Sequence, residues 1–66
     1  MIKNLTYHNL MVVIHKIQAK GYDFEESERL ARHVFDEFAA RPQGMSIEER
    51  VRRILTREEF EREYGC

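Results

Sequence analysis

Residues 22–42 read YDFEESERLARHVFDEFAARP. Within them Phe24, Leu30, Ala31, Val34, Phe35, Phe38 and Ala39 recur at steps of three and four, which places them on one side of a 3.6-residue helix. Asp23 followed by Glu26 has the pattern of an N-cap with its capping-box partner, and Pro42 steers Arg41 away from helical dihedrals. The helix is therefore expected from Phe24 to Ala40. Its apolar side has to be covered by the rest of the chain.

Toward the N-terminus the cover is a second amphipathic segment. Thr6 is the expected cap, because Leu5 before it and Leu10 four positions after it form a hydrophobic staple. Tyr7, Leu10, Val13, Ile14 and Ile17 make one apolar face, with Asn9, Lys16 and Lys20 opposite. Gly21 permits the left-handed turn that ends this helix at about Lys20. Only Tyr22 then separates it from the Asp23 cap, so the two helices are expected as an antiparallel hairpin.

Toward the C-terminus Arg41 to Met45, RPQGM, is a turn by composition. Ser46 with Glu49 is another capping box, and Ile47, Val51, Ile54 and Leu55 keep the helical period for two turns. The phase then jumps to Phe60 and Tyr64. Thr56 with Glu59 has the capping-box pattern and Leu55 with Phe60 that of a staple, so a break is expected at Thr56. One continuous helix from Ile47 to Tyr64 is the alternative. The expected fold class is thus all-α: an antiparallel two-helix hairpin, Tyr7 to Lys20 and Phe24 to Ala40, capped by two short helices, Ile47 to Leu55 and Arg57 to Tyr64. This makes a small four-helix domain.

A chain of 66 residues forms a single domain over 1–66 with a thin core, since it buries only roughly 60% of its unfolded surface. The lone cysteine, Cys66, rules out an internal disulfide and points to a reducing, cytoplasmic setting. The apolar run from Leu10 to Ile14 is too short and too interrupted for a signal-peptide core or a membrane span. The net charge is −1, but the signs alternate along the chain. Residues 1–22 carry three lysines, 23–40 carry six acids against two arginines, 41–57 carry five arginines against two glutamates, and 58–66 carry four glutamates against one arginine. Neighbouring helices of opposite sign should attract.

Few residues point to chemistry. His8 and His15 lie two turns, roughly 10.5 Å, apart on one helix, too far to share a metal ion. His33 and Glu37 have bridging spacing but no third ligand nearby in sequence, so neither metal nor other cofactor is expected. Glu25, Glu26, Glu58 and Glu59 occupy first helical turns, where the macrodipole favours negative charge. Ser27, Ser46 and Cys66 lack the surroundings of a nucleophile, so no enzymatic activity is expected. Arg50, Arg53 and Arg57 recur at three and four with Arg52 beside them, and these three are the candidate partner-binding residues. Met11 and Val12, with His8 and His15, lie on a flank of the first helix over which Met1, Ile2 and Leu5 could fold back or where a second copy could pack. The expected function is a non-enzymatic module that binds another protein through a helical face. The alternative is a nucleic-acid-binding module in which Arg50, Arg52, Arg53 and Arg57 contact phosphates. The acidic segment that follows these arginines weighs against that alternative.

Overall fold

Each helix begins where a short side chain accepts a backbone N–H that the helix itself leaves free. In the computed structural model, which describes residues 4–64, the Thr6 hydroxyl accepts from the Asn9 amide at 3.1 Å and opens α1, Tyr7–Gln18. The Asp23 carboxylate accepts from the Glu26 amide at 2.7 Å and opens α2, Phe24–Ala40. The Ser46 hydroxyl accepts from the Glu49 amide at 3.2 Å and opens α3, Ile47–Tyr64. Three of the four expected caps are in place. Both reversals use a glycine in the left-handed region, Gly21 at φ +104° and Gly44 at φ +97°, where a β-carbon would be strained. No strand lies among the described residues, and no helix of theirs is long and apolar enough to cross a membrane.

The described residues are all-helical, with three helices and not four. Thr56 does not cap a new helix. Its hydroxyl donates to the Arg52 carbonyl at 2.9 Å, the i−4 bond of a threonine inside a continuous helix. The phase jump that suggested a break has another cause: the helix runs on past the core, and its later apolar residues face away. Ile47 and Leu55 are buried and Val51 and Ile54 half-buried, whereas Phe60 and Tyr64 are 63% and 71% exposed.

The core lies between the hairpin and the first half of α3. Leu10, Val13, Ile14 and Ile17 of α1 meet Leu30, Ala31, Val34 and Phe35 of α2, and Ile47 and Leu55 close the cluster. These are the faces that the 3.6 period selects, with three exceptions, one of them Ala39 near the end of α2, which is exposed. Tyr7 and Phe24, each the first residue of its helix, are exposed, because a helix end projects past the neighbour that covers its middle. The α3 helix runs antiparallel to α2: Arg50 pairs with Glu37 near one end, and Arg62 pairs with Glu26 near the other. Cys66 and the fold-back of Met1 and Ile2 lie outside the described residues.

Candidate interaction surface

Of the three candidate partner-binding arginines, Arg50 is turned inward and only 7% exposed. Its position near the start of α3, just after the turn, lets its fork reach the carbonyls that the chain reversal leaves free. One Nη donates to the Arg41 carbonyl at 2.6 Å, Nε donates to the Met45 carbonyl at 3.1 Å, and the other Nη donates to a Glu37 carboxylate oxygen at 3.1 Å. The guanidinium also lies 5.7 Å from the Phe38 ring centre. Arg50 is therefore a clamp on the α2–α3 turn, and its donors are committed within the chain.

Arg53 and Arg57 remain at the surface. Arg53 reaches the Met45 sulfur at 3.4 Å, and Arg57 meets Glu61 one turn on at 3.4 Å. They edge a shallow cleft of about 160 Å³ between α2 and α3, with His33 and Glu37 on the opposite wall. The His33 ring contacts one Glu37 oxygen at 3.1 Å while Arg50 takes the other. Among the described residues no group of three His, Cys, Asp or Glu is placed to hold a metal ion. His8 and His15 are exposed on α1.

Because α3 is unbroken, the spacing of Arg53 and Arg57 continues through Phe60 and Tyr64 in steps of four, three and four. All four side chains lie along one outer stripe of the helix. The two rings stack with centres 4.8 Å apart and planes inclined at 42°. The exposed aromatic pair is the part of this surface that the sequence reading missed. The signal was present as the change of phase after Leu55, which was read as a break in the helix.

In the half of α3 that carries the rings, Arg62 reaches back to the hairpin. The Arg62 guanidinium lies 4.2 Å from the centre of the buried Tyr22 ring, and its Nη contacts a Glu26 oxygen at 3.2 Å. Glu26 thus reaches outward to Arg62 and Arg29. Burial pushes the Tyr22 hydroxyl above its ordinary pKa of 10.0; nearby Arg62 lowers it, and Glu58, Glu59 and Glu26 raise it further.

On the opposite side, α1 and α3 leave a mainly apolar groove of about 380 Å³. Its floor is Val13, Ile47, Val51 and Leu55, and Lys16, Lys20, Arg52 and Glu48 stand on its rim. The two sides of α3 thus differ in chemistry: guanidinium groups and aromatic faces on one, and on the other an apolar trough edged by Lys16, Lys20, Arg52 and Glu48. Compared with protein-family models, with curated proteins and with solved structures, the chain matches none.

Proposed function

We propose that the protein is a non-enzymatic, cytoplasmic interaction module that binds another polypeptide through the outer stripe of α3. The observation that carries this reading is the exposed, stacked pair Phe60 and Tyr64 in line with Arg53 and Arg57. Aromatic residues and arginine are the types that dominate binding energy when a partner covers them. In a domain with so thin a core, two rings directed away from it contribute little to folding, and a binding role accounts for their place. The nucleic-acid alternative is weakened by the loss of Arg50 to the turn and by Glu61, which engages Arg57.

Reversal of Arg50 would damage the turn itself, so the test uses surface residues only. A photo-crosslinking residue at Tyr64 should trap a polypeptide in native cytosol, whereas the same residue at exposed Arg29 should not. Trapping at both positions or at neither would count against the stripe. Titration of a random duplex at low salt should show no binding. Binding that falls steeply with salt and disappears in Arg53→Glu with Arg57→Glu would establish the alternative.

A further inference from the structure

Two features of α3 face away from the centre of the core: the outward aromatic pair, and the groove against α1, whose floor is the outer edge of the core residues Val51 and Leu55. They match each other. Residues 58–64 carry Glu58, Glu59, Glu61 and Glu63 against Arg62, with Arg57 just before them, so the segment that bears the rings is acidic on balance. The groove has three cations, Lys16, Lys20 and Arg52, against one acid, Glu48, around a floor of Val51 and Leu55, so its edge is basic on balance. An acidic helix bearing aromatic residues at i and i+4 is the chemistry such a groove recognises, and the chain itself carries one.

We propose that the ligand of the groove is a second copy of this chain, whose Phe60 and Tyr64 insert between α1 and α3 with their glutamates against the basic rim. This rests on the reading of the stripe as a binding surface and names its partner. Phe60 and Tyr64 lie roughly 180° around the helix from Val51 and Leu55. The two halves of the contact are therefore on opposite sides of one molecule. Such a contact is heterologous: each copy offers its rings to one neighbour and its groove to another, so the assembly grows head to tail until it closes or runs out of protein. Two rings bury roughly 150 to 250 Å² each. The interface thus falls at the small end of the specific range, and the association is weak, with a Kd of roughly 10 µM to 1 mM.

Complementary variants test this. Phe60→Ser with Tyr64→Ser removes the rings and keeps the groove; Lys16→Glu with Arg52→Glu reverses the rim and keeps the rings. All four positions are exposed, so both variants should keep the far-ultraviolet circular dichroism of the parent. In sedimentation equilibrium up to about 1 mM, the parent's mean mass should rise with concentration and each variant should stay monomeric. Their equimolar mixture should form a one-to-one dimer and stop there, because only one productive contact remains. Methyl resonances of Val51 and Leu55 in the parent should shift over the same concentration range. A parent that stays monomeric would overturn self-docking while leaving the crosslinking test of the stripe to be decided separately. Self-association of the parent with a mixture that stays monomeric, or assembly of either variant like the parent, would overturn it as well.

Discussion

Arg50 shows how a surface-looking residue can be structural. Its spacing with Arg53 and Arg57 is that of a helix stripe, but two of its three acceptors are backbone carbonyls at 2.6 and 3.1 Å. The ion pair with Glu37 is the smaller part, because the Glu37 side chain is 51% exposed and exposed pairs contribute little. Arg50→Ala should destabilise by roughly 2 to 4 kcal/mol, whereas Glu37→Ala should cost roughly 1 kcal/mol or less. Urea unfolding of both proteins checks the ratio, and equal losses would make the carboxylate the main partner. Tyr22 gives a pH test. The folded state holds its phenolic proton to higher pH than the unfolded chain, for which the ordinary value is 10.0. Its contribution is therefore intact below about pH 10 and is lost as pH rises through the raised folded value. Tyr22→Phe should remove that part of the alkaline loss, read as a smaller drop in melting temperature between pH 9 and pH 11 than in the parent. An equal drop in both proteins would mean that the hydroxyl is not held by burial.

At the scale of the helices, the hairpin was legible because several local signals agreed. Thr6 and Asp23 cap as their patterns indicate, Gly21 adopts a positive φ in the turn after α1, and Leu30, Ala31, Val34 and Phe35, the middle of the set spaced at three and four on α2, are buried in the core. The extent of α3 was not legible. The sequence Thr-Arg-Glu-Glu fits both a capping box and the interior of a helix, and what decides between them is whether the following apolar residues must return to the core. Phe60 and Tyr64 do not, and that half of α3 stays helical with Arg62 contacting Tyr22 and Glu26. The inward turn of Arg50 was hidden for a related reason: it depends on where the turn places two carbonyls, which periodicity does not encode. Thr56→Ala follows from the continuous helix. It removes a β-branched residue whose hydroxyl bonds back to Arg52, so stability should be unchanged or rise by a few tenths of a kcal/mol. A loss of about 1 kcal/mol in thermal unfolding would restore the break.

For the whole molecule, the alternating charges act mainly at two points. The acidic α2 meets α3 through Glu37 with Arg50 and Glu26 with Arg62, near opposite ends of the antiparallel pair. Between them the apolar contacts of Ile47 and Leu55 hold α3 on the hairpin. Leu55→Ala should therefore cost roughly 2 to 5 kcal/mol, a large share of the stability of so small a domain, and urea unfolding would show it. Phe60 and Tyr64, five and nine residues further on, are assigned to binding. The most direct measurement is the urea midpoint of the parent and of Phe60→Ser with Tyr64→Ser, each taken at about 5 µM and at about 500 µM protein. The midpoints should coincide at the low concentration, and at the high one only the parent's should rise. A variant already less stable by 2 kcal/mol or more at the low concentration would place the rings in the fold, and midpoints that never move with concentration would show that they bind no second copy.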